Sequence, residues 1–383
     1  MRVVARAVSR LSAEAYLVVN KMSIGRGRPS STYALSAMMQ ARLSGGCGDI
    51  YPPVCKRIIE NLLSAKNGQS GKGYGGVAPK KSIGFKKPPS RSDIDQPSAS
   101  TKWLLAVLFS YSNELGVVRG VTTSALRRAT GMGRLKLKSQ LLGLVDRGLI
   151  RSCVPGASNR LFVGAKVSTT YFLNLNHPFL GLGRDASAVL ALKENGCDRR
   201  ELVCVTARPL VELFLRGIED QAFEIFCLLV DGYASFLLTN CWAELSNPRC
   251  PGLTQSVEDM VSADFQRPNG SAADGVGIDE ANWAAVVEHI GWLALDRARW
   301  IRKLVMCMPS GGADNPRIQI IPAPKHDGEI LVTVLLMESP PVPQVNCLVI
   351  NYIDPRVCSF YGEEAEIPID ERYSFGLLTR PKV

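Results

Sequence analysis

The sequence predicts an α+β chain. A small helix-and-strand unit sits between a basic, largely disordered leader and a helical, then antiparallel-β, region. Three observations carry this. Residues 121–150, VTTSALRRATGMGRLKLKSQLLGLVDRGLI, read as two short helices around a glycine turn, with a glycine closing the second. Residues 279–308 keep apolar side chains at helical spacing. From residue 316 the character changes to β-branched runs bounded by turn residues.

Taken in order, residues 1–21 carry Arg2, Arg6 and Arg10 against a single acid, Glu14. This has the look of an organelle transit peptide. A frayed basic helix, or an extension upstream of a start at Met22, is the preferred reading, because nothing else in the chain points to an organelle. Residues 25–29 read GRGRP. Their Arg-Gly-Arg-Pro core resembles the AT-hook, which implies minor-groove contacts from Arg26 and Arg28 in A·T-rich DNA. Residues 52–66 predict an amphipathic helix with proline at its start and Val54, Ile58 and Leu62 on one face, suited to docking on another domain or on a second copy. Residues 67–100 lose all periodicity and read as a disordered basic linker. Gly71-Lys72 is no phosphate loop: Gly73 stands where a magnesium-binding hydroxyl is needed, and no apolar strand leads in.

The middle unit starts with a helix over residues 101–115. A second helix follows over 124–130, capped by Thr122 or Thr123. Gly131, Met132 and Gly133 form the turn, and a third helix runs over 134–147 to a stop at Gly148. Leu137, Leu141, Leu144 and Val145 share one face of that helix. The opposite side holds Leu135, Lys136, Ser139, Gln140, Gly143 and Arg147, flanked by Arg134 and Lys138. Strands are expected at 149–154 and 169–175, around a turn at 155–159.

This succession resembles the winged helix-turn-helix family of DNA-binding regulators, over residues 101–178. The resemblance rests on Leu126, Gly131, Met132, Leu137, Leu141, Leu144 and the run Arg147-Gly148-Leu149-Ile150. It implies that the third helix reads the major groove of double-stranded DNA with Arg134, Leu135, Lys136, Lys138, Ser139 and Gln140. Arg151 on the following strand, and Arg160 and Lys166 in the wing, would hold phosphates. The bland alternative is a small helical core with a solvated basic face. Against it, Arg134, Lys136 and Lys138 crowd the first turn of a helix, where cations oppose the helix dipole and local stability does not explain them.

Beyond the boundary at Asn176-His177-Pro178, where His177 reads as a turn residue, residues 184–247 predict several helices, clearest at 209–216 and 220–245. Residues 247–278 read as a loop-rich stretch. The helix over 279–308 is expected to bury Trp283, Val286, Ile290, Leu293, Arg297, Ile301 and Leu304, with Trp292 and Trp300 beside them. Strands are then expected in RIQII, EILVTVLLM and QVNCLVINYI. The domain plan is therefore 1–100 leader, 101–178 DNA-binding unit, 179–310 mainly helical and 311–383 β-rich.

Charge divides the 383-residue chain, which carries +10 overall. Residues 1–180 hold 27 Lys+Arg against 7 Asp+Glu, and residues 181–383 hold 18 against 28. A basic half joined to an acidic half suits a nucleic-acid-binding part carrying a separate module for an effector or for a homodimer. The 11 cysteines are scattered with no C-x-x-C, which fits a reducing cytoplasm. The most apolar segment, 222–240, is broken by Glu224 and Asp231 and falls short of a clean bilayer span, so no membrane is expected. His177, His289 and His326 are the only histidines, and none has metal-ligand spacing. No nucleophile elbow, zinc-protease motif or dinucleotide fingerprint occurs. The cluster Glu363, Glu364 and Glu366 reads as a solvated loop. No catalytic residue, metal or cofactor is expected. The function expected is sequence-specific DNA binding, as a transcriptional regulator. Alternatives are a replication or partition protein of a mobile element, or a DNA-tethered enzyme such as a nuclease.

Overall fold

The computed structural model describes residues 17–22, 30–35, 51–63, 97–182, 186–195, 198–247, 250–268, 278–308, 316–322, 330–338, 345–351 and 357–380. The GRGRP segment with Arg26 and Arg28, and most of the expected linker, lie outside the described residues. The chain is a mixed α+β protein. Strand β1 (Leu17–Met22) pairs antiparallel with β2 (Ser30–Leu35), so a frayed helix over 1–21 does not hold for its last residues.

The middle unit begins with α1 (Pro53–Leu63), whose Cys55, Ile58 and Leu62 are buried. It docks on α2 (Ala99–Ser110) rather than standing in a loose leader, and Cys55 Sγ lies 3.2 Å from Ser112 Oγ. Helix α2 stops short of the expected residue 115. Asn113 Oδ1 accepts from the backbone N–H groups of Leu115 and Val117, at 3.2 and 2.8 Å, and turns the chain into a strand the sequence reading missed, β3 (Val117–Val118). Helix α3 (Thr123–Thr130) has Thr122 as its cap, with Oγ1 accepting from Ala125 N at 3.1 Å. Gly131 closes it at φ +69°, a conformation that costs a side-chain-bearing residue strain. Helix α4 (Arg134–Asp146) follows, then β4 (Ile150–Val154) and β5 (Thr170–Leu173). The strand order is β3-β5-β4, all antiparallel.

The second unit corrects the expected domain plan. Residues 188–195, read as helical, form β6 (Ala188–Asn195). After it come α5 (Arg199–Cys204), α6 (Pro209–Gly217) and α7 (Asp220–Asn240). The expected loop contains α8 (Pro251–Asp264), whose Leu253, Val257 and Val261 repeat at i, i+4, i+8 and are buried. Helix α9 (Glu280–Met306) is next, then β7 (Ile318–Ile321), β8 (Ile330–Met337), β9 (Cys347–Asn351), β10 (Cys358–Tyr361) and the short helix α10 (Ile369–Ser374). The five-stranded sheet runs β10-β9-β6-β8-β7, with β6 in the centre. A boundary at residue 310 would cut this sheet in two. Nor is the sheet purely antiparallel, because β6 and β9 run parallel. Helix α9 buries Val286, Ile290, Ala294, Ala298 and Ile301, while Trp283, Leu293, Arg297 and Leu304 are only half-buried.

Period-2 alternation places this sheet between two layers. Ala188, Leu190 and Leu192 face the helices, together with Ile318, Ile320 and Leu335. Val189 and Ala191 face the other way, with Val334 and Val349, onto Phe375 and Leu377 and onto Val117 and Phe172 of the small sheet. The two units therefore share a core. Helix α7 is long and apolar enough to cross a membrane, but 78% of its most apolar window is buried inside the protein. Its Asp231 is ion-paired there with Arg199 and Arg297.

Candidate nucleic-acid interface

Two leucines hold α4 against the middle unit: Leu137 is 1% exposed and Leu144 0%, within a core that includes Leu104, Leu108, Leu126 and Ile150. Leu141 and Val145 are half-buried at its edge. With that face fixed, Arg134, Leu135, Lys136, Lys138 and Ser139 all point to solvent, as expected. Leu135 is 84% exposed, which folding alone does not favour. Leu142, at 49%, lies seven residues further along the same side and was not anticipated. Gly133 gives α4 no side-chain cap, so the first-turn N–H groups open beside Arg134 and Lys136. Residues 121–150 present six exposed cations, Arg127, Arg128, Arg134, Lys136, Lys138 and Arg147, against the exposed carboxylate of Asp146. Arg127 and Arg128 were missed, although their place beside Leu126 on an amphipathic helix already put them on the outside.

Two expected contacts change. Gln140 is half-buried, and its Oε1 accepts from Thr101 Oγ1. That bond ties its side chain to α2, which turns the amide away from the outward face that would meet an adenine edge. Arg151 is 0% exposed. Its Nη1 pairs with Glu364 Oε1, and its Nη2 donates to Oε2 at 2.6 Å. It is an internal strut between β4 and the C-terminal segment, not a phosphate contact. By the same pairing Glu364 is 6% exposed and lies in no solvated loop.

The β4–β5 connection also departs from a free wing. Leu161 is 3% exposed and Phe162 0%. The Phe162 ring sits 5.6 Å from that of Phe265, and Gln266 N donates to Leu161 O at 2.8 Å, so the middle of the loop lies on the end of α8. Arg160 and Lys166 remain exposed on either side, and the tip at residues 163–166 faces solvent. At the base, a Cβ on Gly156 would lie 2.2 Å from Val167 O and 2.9 Å from Thr169 N. Both are backbone of the opposite arm and cannot rotate away. Gly156→Ala is expected to cost about 1–3 kcal/mol by overpacking, read as a lower midpoint in chemical denaturation.

His177 is a turn residue, as expected. Its Nδ1 accepts from Phe179 N at 3.1 Å, and its Nε2 lies 3.0 Å from Arg147 O, holding the end of α4. Among the described residues no group of three or more His, Cys, Asp or Glu side chains is placed to hold a metal ion. No protein-family model, curated protein or solved structure matches the chain.

Proposed function

We propose that the chain binds double-stranded DNA sequence-specifically through a winged helix, as a transcriptional regulator. The observation that carries the reading is α4 itself. It follows a helix–strand–helix succession, precedes a β4–β5 pair in a sheet of order β3-β5-β4, and turns Arg134, Leu135, Lys136, Lys138 and Ser139 to solvent. Arg134 and Lys136 would donate to guanine O6 and N7, and the side chain of Leu135 would pack on a thymine methyl. Arg127, Arg128, Arg160 and Lys166 would contact phosphates and set the register. Selecting bound sequences from a random duplex pool gives the site. Arg134→Ala or Lys136→Ala should then weaken the selected site by about 1–3 kcal/mol, with scrambled DNA changing less. Folding should stay within about 0.5 kcal/mol of the parent. Parent-like titrations onto the selected site by both variants would refute the reading.

The second unit would pair two copies, doubling the DNA site read. Val205, Leu210 and Leu213 around α6 are 78, 53 and 51% exposed, apolar surface suited to such a contact. Sedimentation of the full chain at micromolar concentration should show a dimer. Val205→Glu should return it to monomer.

A further inference from the structure

We propose that the cavity between α5, α7 and α9 binds a small organic monocarboxylate with an apolar body. This goes beyond the DNA-binding reading and does not depend on it. The cavity measures about 260 Å³. Asp231 on α7, 1% exposed, meets two arginines there. Arg199 of α5 donates from Nη2 to Oδ2, and Arg297 of α9 brings Nε within 2.7 Å of Oδ1. Arginine stays charged in proteins, so two positive charges face the buried Asp231 carboxylate, and the exposed Asp296 brings the lining to two charges of each sign.

The second arginine is not explained by stability, because a buried Arg–carboxylate–Arg cluster is on average no better than apolar packing of the same volume. It is explained by a ligand. A guanidinium carries five N–H donors. Arg199 gives one to Asp231, and Arg297 Nη2 lies 3.4 Å from Thr333 Oγ1. The two side chains are 23 and 26% exposed, and both line the cavity. A planar carboxylate matches the planar fork that either guanidinium presents. Leu202, Val203, Phe226, Val230, Leu293 and Trp300 supply apolar walls. A few convergent polar groups in an apolar enclosure is the usual composition of a small-molecule site. Asp296, exposed at the same cavity, repels a second negative charge, which favours a monoanion over a phosphate dianion. The volume limits the apolar body to one ring or a short branched chain.

Calorimetric titration of the full chain with phenylacetate, 4-methylpentanoate, leucine and inorganic phosphate tests this. Saturable binding of phenylacetate or 4-methylpentanoate is expected, at least tenfold weaker in Arg297→Gln. Leu202→Trp changes a side chain that is 41% exposed at the cavity, one helical turn from Arg199 and outside the ion pairs. It should melt like the parent and lose binding, which keeps the test decisive if Arg297→Gln fails to fold. Three outcomes would overturn the assignment. One is no saturable binding of either carboxylate at millimolar concentration. Another is phosphate or leucine binding as tightly as the carboxylates, leucine because Asp296 would then be pairing with its ammonium. The last is binding that survives Leu202→Trp.

Discussion

Glu364→Ala is expected to destabilise the chain by about 3–5 kcal/mol at neutral pH, because it strands the fully buried Arg151 guanidinium without its counter-ion. The pair is bidentate, and Asn176 Nδ2 donates to Glu364 Oε2 at 2.9 Å. Burial opposes the charged carboxylate, but the neighbouring Arg151 charge, the hydrogen bonds from Arg151 and Asn176, and the Arg372 charge outweigh it. The Glu364 pKa is thereby held below the usual carboxylate value. A folded pKa below the unfolded one gives stability that is full above the unfolded value, about 4.3 for glutamate, and is lost as pH falls through the folded value. Parent and Glu364→Gln, which keeps the volume and removes the charge, should differ most near pH 7 and converge in acid. A difference that stays constant down to pH 2 would show that the Glu364 charge carries no stability. Because Thr379 Oγ1 also donates to Arg151 O at 2.8 Å, the same substitution should loosen the C-terminal segment from β4, read as faster hydrogen exchange at residues 377–380.

The contrast between what was legible in the sequence and what was not follows the range of the interactions. The α3–turn–α4 segment was readable because its determinants are local. Thr122 caps from three residues away, and Gly131 and Gly148 adopt positive φ where the helices end. The leucines that bury α4 repeat within a few turns of one another. The Arg151–Glu364 pair joins residues 213 apart, and no local pattern announces it. Strand β6, AVLALKEN, is a short apolar run that helix and strand share. Pairing with β8 on one side and β9 on the other decided it, and both lie beyond residue 329. Helix α8 was hidden by Pro251-Gly252, which resembles a turn, although proline at the first helical position is a start signal. Within the candidate interface, exposure was legible from periodicity, and the engagement of Gln140 by Thr101 was not. The latter depends on how α4 crosses α2.

Leu144→Ala is expected to remove both folding and DNA binding, and this separates the two roles of α4. Leu144 is 0% exposed among Leu104, Leu126 and Ile150, so truncation leaves a cavity at about 2–5 kcal/mol. The half-buried Leu141 should cost less than Leu144 because its edge position lets neighbours and solvent fill the gap. Leu142, two residues before Leu144, points outward, and its truncation should leave the melt within about 0.5 kcal/mol of the parent. If α4 lies in a groove, Leu142→Ala and Leu135→Ala should weaken the selected duplex while the protein stays folded, and Leu144→Ala should weaken selected and scrambled DNA together as the unit unfolds. The two readouts are denaturant melting and titration onto both duplexes. A Leu144→Ala protein that melts like the parent would mean that α4 is not held by the core of the middle unit. A Leu135→Ala, Leu142→Ala double variant with unchanged affinity would leave the outward leucines without a role at DNA and reduce the face to its cations.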